Sequence, residues 1–228
     1  SKSHAILMYM EAVIHARKFM SAARRAARAK PVVVIKSGRH AAGARAASSH
    51  TGALAGLDAA YDAAFPRAGI LRVKDLAELF DTAETLSRMP RLTGERLAIL
   101  TNGGGAGVLA VDRLVDLGGT LAELSPMTIE ALDRALPPTW SHANPIDIIG
   151  DAGPERYGAA MEALLADPGT DAVLVINCPT AVASSLEAAR SVIAVSDAAF
   201  RVHRRRKPVL ANWLGENSET DAHQLLAQ

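Results

Sequence analysis

Short aliphatic runs alternate with longer stretches of helical spacing along this chain, and this order constrains the fold more than any other feature. Val32-Val33-Val34-Ile35 is β-branched and continuous, the pattern of a strand covered on both faces in a parallel sheet. Ala5 to Met10 is too short for a helix and reads as a second buried strand, one that delivers Glu11 to its carboxyl end. Between them, Ala16 to Ala29 mixes strong helix formers with Arg17, Lys18, Arg24, Arg25 and Arg28, suiting an amphipathic helix that Lys30-Pro31 stops. After a small, Gly- and Ala-rich loop from Lys36 to Ser49, helical spacing is expected from about Thr51 to Phe65. A strand at Ile70 to Val73 and a helix from Lys74 to Leu86 follow. Strands alternating with helices imply parallel sheets with right-handed crossovers.

Arg88 to Glu95 carries Pro, Gly and three charged residues and reads as a linker, so residues 1–92 and 93–228 are expected to form separate domains. The second repeats the alternation. Strands are expected at Arg96 to Leu100, Thr120 to Leu124, Asp171 to Asn177 and Val209 to Trp213. Helices are expected at Val108 to Leu117, Ser125 to Ala135, Pro154 to Leu165 and Ser184 to about Arg205. Gly103 to Gly107 reads as a glycine turn and Asn144 to Asp151 as a loop. The expected class is therefore α/β, with two doubly wound, mostly parallel domains. An internal echo supports two similar units: Arg28-Ala-Lys30-Pro31 before one strand and Arg206-Lys207-Pro208 before another, each placing cations against a helix C-terminus.

Composition narrows the function classes. With 25 Lys and Arg against 24 Asp and Glu in 228 residues, the chain lacks the positive field of a nucleic-acid or membrane-surface binder, and neither partner is expected. Its 49 % hydrophobic content can fill real cores, built from aliphatic residues because aromatics make up only 4 %. A lone cysteine, Cys178, cannot close an internal disulfide or build a cysteine metal cage, and points to a reducing cytoplasm. No apolar run approaches the roughly 20 residues needed to cross a bilayer. No bound metal is expected, since no histidine pair has metal-binding spacing on one helix.

Three segments carry chemistry. Ser48-Ser49-His50-Thr51-Gly52 lies between a buried strand and a helix, at the carboxyl edge of a parallel sheet where such folds bind ligands. Small side chains there leave backbone N–H groups open to an anion, and a neutral imidazole beside such a helix end is a phosphoryl acceptor. The other six histidines lack this context. Glu11, also at a strand end, is the natural partner: a carboxylate accepting Nδ1–H fixes the tautomer and frees Nε2. An ordinary strand-end acid is the plainer reading of Glu11. The second segment, Thr101-Asn102-Gly103-Gly104-Gly105-Ala106-Gly107, is an anion-binding turn between strand and helix. It is no dinucleotide fingerprint, because Val108 stands at the third glycine position, and no P-loop, because no Gly-Lys-Ser/Thr follows. The third, Asn144-Pro145-Ile146-Asp147, closes over that turn or caps the sheet.

With these residues in view, the chain resembles the flavodoxin-like part of the NDP-forming acyl-CoA synthetases, the superfamily that includes succinyl-CoA synthetase. The resemblance runs through Met8-Tyr-Met-Glu11, Lys30-Pro-Val-Val-Val-Ile-Lys-Ser-Gly38, Ser49-His-Thr-Gly-Ala-Leu-Ala-Gly56, Thr101 to Gly107 and Asn144 to Asp147. It implies that His50 carries a phosphoryl group between an acyl phosphate and a nucleotide, that Glu11 orients it, and that Ser49, Thr51, Gly52, Asn102, Gly103, Gly104 and Gly105 hold the phosphate. Asn144 and Asp147 become a substrate loop. CoA, ADP or ATP, and phosphate are then substrates, with Mg²⁺ accompanying the nucleotide.

The family also carries a CoA-binding Rossmann domain and an ATP-grasp domain, in one chain or in a partner subunit. These are the expected partners, in an oligomer that acts on a small-molecule acid. The first strand-helix unit of domain one is expected to precede residue 1. A competing expectation is a CoA- or acyl-CoA-sensing region of a protein lysine acetyltransferase, silent as a ligase; a plainer one is a scaffold for subunit assembly.

Overall fold

The computed structural model describes residues 3–43, 57–89, 92–202, 207–215 and 220–226. Within it the chain divides into two compact units, Ser1–Met89 and Pro90–Gln228. Both sheets are parallel, with helices as the crossovers, so the α/β, doubly wound expectation is met in each.

The first unit orders its strands β1 (Ile6–Met10), β2 (Val32–Lys36) and β3 (Ile70–Val73) side by side. Every residue of β2 is buried, as a central strand flanked on both faces must be. Its two-residue period sorts the core. Val32 and Val34 face α1 (Ala16–Ala29) and α2 (Asp58–Ala68), in a cluster with Ala23, Phe65 and Ile70. Val33 and Ile35 face the other way, with Val73 and with Leu79 of α3 (Leu76–Arg88). The Asp75 carboxylate caps α3 by accepting the Glu78 N–H at 2.8 Å, and Glu78 in turn accepts the Lys74 N–H at 2.7 Å. Helix α2 continues past Phe65, where it was expected to stop. Pro66 sits in its last turn and removes only one late N–H before Gly69 ends the helix at φ 74°.

The second unit orders its sheet β5 (Thr120–Leu121), β4 (Arg96–Thr101), β7 (Ala172–Asn177), β8 (Val209–Trp213), and β6 (Ile146–Asp147) also pairs with β4. Helices α4 (Gly104–Asp116), α5 (Pro126–Ala135), α6 (Pro154–Ala166), α7 (Ser185–Val202) and α8 (Thr220–Leu226) complete it. Trp140, Tyr157, Ile146, Leu164 and Trp213 anchor its core. Helix α8 was not expected from the sequence.

Two differences from expectation have a common physical cause. The strand expected over residues 120–124 stops at Leu121, and a strand appears at Ile146–Asp147 inside the expected loop. The Asn144 side chain explains both. Its Oδ1 accepts the Ile99 N–H at 2.9 Å, while its Nδ2 donates to the carbonyls of Leu97 at 3.0 Å and Ala122 at 2.9 Å. The carboxamide thus takes the place on the β4 edge where β5 would have continued. Beyond it, Ile146 and Asp147 pair with Leu100 and Thr101.

The glycine turn is also shorter than expected. Only Gly103 lies outside α4, as its N-cap, and the helix begins at Gly104. The later glycine serves close packing: a Cβ at Gly107 would stand 3.0 Å from Thr101 Cγ2 and 3.2 Å from Pro145 Cβ. Of the two Lys-Pro junctions, Lys207 reaches a helix end, donating to the Leu164 carbonyl at 3.3 Å and to that of Asp167 just past α6. Lys30 turns instead to Ser3. No described helix is long and apolar enough to cross a membrane.

Candidate functional site

In the first unit Glu11 and Ser37 stand at the carboxyl edge of the sheet, just past β1 and β2. The chain leaves β1 at Met10 and presents Glu11, which is half-buried. Ser37, the first residue after β2, donates its N–H to the Met10 carbonyl at 3.0 Å, so the exits of the two strands are tied together. The Tyr61 hydroxyl on α2 accepts the Val13 N–H at 3.2 Å and holds the segment beyond Glu11. The phosphate-handling residues expected here, Ser49, His50, Thr51 and Gly52, lie outside the described residues.

In the second unit, β4, β6 and β7 bring Asn102, Gly103, Asp147 and Cys178 to one strand edge. Asn102 is buried and both polar atoms of its side chain are engaged: Oδ1 accepts the Cys178 N–H at 2.7 Å and Nδ2 donates to the Cys178 carbonyl at 2.9 Å. This paired bridge locks the ends of β4 and β7 together. The Asn102 carboxamide is therefore a structural tie between the two strand ends. Thr101 steers the turn, its Oγ1 accepting the Gly103 N–H at 3.0 Å. The first N–H groups of α4, from Gly104 onward, have no acceptor within the helix, as at any helix start.

Asp147 stands against that start. Its Oδ1 accepts the Ile149 N–H at 3.0 Å, and its Oδ2 lies where it would be 2.6 Å from a Cβ at Gly104. A carboxylate there is favoured by the helix dipole. The loop Asn144 to Asp151 thus closes on the glycine segment through Asp147, and pins the sheet through Asn144. Asn144 is a structural wedge that caps the sheet, one of the two placements expected for this segment. Ser141 braces the loop from below, donating to the Pro145 carbonyl at 2.6 Å and accepting the Asp147 N–H at 2.9 Å. At Gly105, by contrast, a Cβ would meet nothing within 4 Å. The open approach to the helix start lies on that side.

Ser141 and Cys178 were missed from the sequence, and Thr101 was read only as the start of the glycine segment. Thr101 and Cys178 stand at the carboxyl ends of β4 and β7, so strand ends alone would have nominated them. The Cys178 sulfur comes close enough that a Cβ at Gly103 would lie 2.5 Å from it. Burial pushes the Cys178 thiol up; a hydrogen bond with Thr101 opposes this and the charge of Asp147 adds to it. These effects together disfavour the thiolate, the nucleophilic form. Behind it, Asn177 Nδ2 donates to the Tyr157 hydroxyl at 2.9 Å, and Asn177 Oδ1 is buried without a hydrogen-bond partner among the described residues. Burial likewise pushes the Tyr157 phenol up, so it stays neutral. Among the described residues no cluster of three or more His, Cys, Asp or Glu could hold a metal ion.

The open, glycine-walled helix start of the second unit can hold an anionic group through its backbone N–H groups. The family models agree in kind: the succinyl-CoA ligase like flavodoxin domain matches residues 1–86, and the Ligase-CoA domain matches residues 97–228. The chain belongs to the Ligase-CoA family. It is 47 % identical over 188 residues to an ADP-forming acetate–CoA ligase I of Archaeoglobus fulgidus, covering 82 % of this chain and 27 % of that protein. It is 39 % identical over 225 residues to the alpha subunit of the ADP-forming acetate–CoA ligase I of Pyrococcus furiosus, covering 98 % and 47 %. The acetyl-coenzyme A synthetase 1 of Ca. Korarchaeum cryptofilum, solved with phosphate and ADP, superposes with a TM-score of 0.88 at 38 % identity, over 99 % of this chain and 49 % of that one. This Ligase-CoA chain spans less than half the length of each of these relatives.

Proposed function

We propose that this chain is the phosphohistidine-bearing part of an ADP-forming acyl-CoA synthetase, interconverting acyl-CoA, ADP and phosphate with acid, CoA and ATP. One observation carries the reading: both units follow the fold of a synthetase solved with phosphate and ADP over 99 % of this chain. Glu11 after β1 and the glycine-walled start of α4 after β4, both at carboxyl ends of strands, support the reading.

In the proposed step, neutral His50 attacks the phosphorus of an acyl phosphate through Nε2. The bond between phosphorus and the acyl oxygen breaks, the carboxylate leaves, and the phosphoryl group stays on nitrogen. Glu11 accepts the Nδ1–H and stabilises the charge that develops on the ring. Backbone N–H groups at two helix starts, beside Ser49, Thr51 and Gly52 and at Gly103 to Gly105, offset the phosphate charge. The phosphoryl group then passes to an oxygen of the ADP β-phosphate, which yields ATP and restores the imidazole. Nucleotide and its Mg²⁺ belong to an ATP-grasp part, and CoA to a Rossmann part, in the same protein or a partner subunit. The substrate is a small carboxylic acid, and the assembly is an oligomer in the cytoplasm. The related proteins described above are ligases, which favours this reading over an acyl-CoA sensor.

The complete protein, incubated with its ATP-grasp part, γ-labelled ATP and Mg²⁺, tests the proposal. Acid-labile phosphate mapped to His50, lost in His50→Ala and kept in His40→Ala, is the expected result. An unlabelled wild type, or label surviving His50→Ala, overturns it.

A further inference from the structure

Lys36 ends β2 with 2 % of its surface exposed, an unusual place for an ammonium group. Its Nζ donates to the Ser37 carbonyl and lies 4.8 Å from the centroid of the Tyr61 ring, a cation–π contact. Both neighbours grip the segment that carries Glu11. Ser37 binds the Met10 carbonyl through its N–H at 3.0 Å and its hydroxyl at 3.4 Å, just before Glu11. Tyr61 accepts the Val13 N–H at 3.2 Å, just after it. In register, Lys36 stands directly beside Met10. The ammonium is therefore lodged between the two groups that fix the chain on either side of Glu11. Burial lowers the Lys36 pKa; Asp58 on α2 opposes this, Arg72 on β3 reinforces it, and Glu11 itself opposes it.

We propose that Lys36 and Tyr61 form a positioning pair that sets how Glu11 leaves β1 and, on the phosphohistidine reading above, aligns the His50 imidazole for attack on phosphorus. Lys36 acts through Glu11, so its effect belongs to the rate of the phosphoryl step and not to substrate binding.

The test is a double-mutant cycle in the complete protein, following phosphate on His50 by rapid quench. Lys36→Met keeps the stem and removes the charge; Tyr61→Phe keeps the ring and removes the acceptor for Val13. Each is expected to slow phosphohistidine formation about tenfold or more, the scale of a displaced reacting group, with KM for acyl-CoA and phosphate nearly unchanged. Lys36→Arg, which keeps a cation over the ring, is expected to restore much of the rate. In a Glu11→Gln background neither substitution should slow the step further.

Wild-type rates in Lys36→Met and Tyr61→Phe, or losses that multiply with that of Glu11→Gln, overturn the inference. If Lys36→Met loses its fold by circular dichroism, the Tyr61→Phe cycle decides by the same criterion. A full rate in Glu11→Gln, or no phosphate on His50 in the wild type, instead overturns the underlying reading, and this inference with it.

Discussion

Asn144→Ala tests whether one side chain joins β4 to the chain on its β5 side. The substitution deletes three hydrogen bonds, to the Ile99 N–H and to the carbonyls of Leu97 and Ala122. At about 1 kcal/mol net for each, the loss is about 3 kcal/mol. Ile99 and Ala122 are 0 % and 2 % exposed, so water does not readily replace the lost partner and the value should not fall much below this. Set against roughly 5–15 kcal/mol for a whole domain, that is a large fraction of its stability.

Urea unfolding followed by tryptophan fluorescence isolates the effect, because the chain's two tryptophans, Trp140 and Trp213, are both buried in the second unit. With a slope of about 2 kcal/mol per molar, the midpoint should fall by about 1.5 M. Asn144→Asp should be worse than Asn144→Ala at neutral pH, since it turns a carboxylate oxygen towards two carbonyl oxygens. A midpoint within about 0.3 M of wild type for Asn144→Ala, or greater stability for Asn144→Asp than for Asn144→Ala, would refute the wedge.

Two further outcomes are expected. Gly105→Ala should keep or slightly raise stability, by up to about 1 kcal/mol, because the methyl meets nothing and alanine favours a helix. Its phosphoryl transfer should fall, since the methyl intrudes on the open approach to the helix start; an unchanged rate removes Gly105 from the phosphate site. The two ring nitrogens of His142 both face acceptors, Nδ1 the Asp133 carboxylate at 2.8 Å and Nε2 the Pro138 carbonyl at 3.0 Å, an arrangement that favours the imidazolium. The Pro138 bond raises its pKa first and the Asp133 bond adds to this. A raised folded-state value means that the stabilisation is complete below about pH 6.5, the ordinary histidine value, and is lost as pH rises through the folded pKa. Thermal melts of wild type and His142→Gln should therefore differ at pH 5.5 and converge at high pH; a constant gap would show that His142 stays in one charge state throughout.

Much of the architecture was legible because it follows from local spacing. The continuous Val32 to Ile35 run marked the central strand, and the Ala16 to Ala29 pattern gave that helix its observed ends. Glu11 could be placed at a strand end for the same reason. The roles of Asn102 and Asn144 were not legible, because their partners lie 76 and up to 47 residues away, respectively, and nothing local distinguishes a carboxamide that ties strands from one that greets a ligand. Helix α8 escaped because its seven residues carry too little periodicity to register.

By itself, then, the sequence determined the alternation of strands and helices, the parallel class and the carboxyl edges where chemistry belongs, all properties of hydrophobic period and chain punctuation. Tertiary structure alone decided that Asn144 ends β5 early, that Asp147 meets the start of α4, and that Lys36 is buried against Tyr61 beside Glu11. These depend on backbone groups brought together across long stretches of chain. Which polar side chain satisfies a buried N–H or carbonyl is settled only when the strands have paired and the remaining vacancies are known.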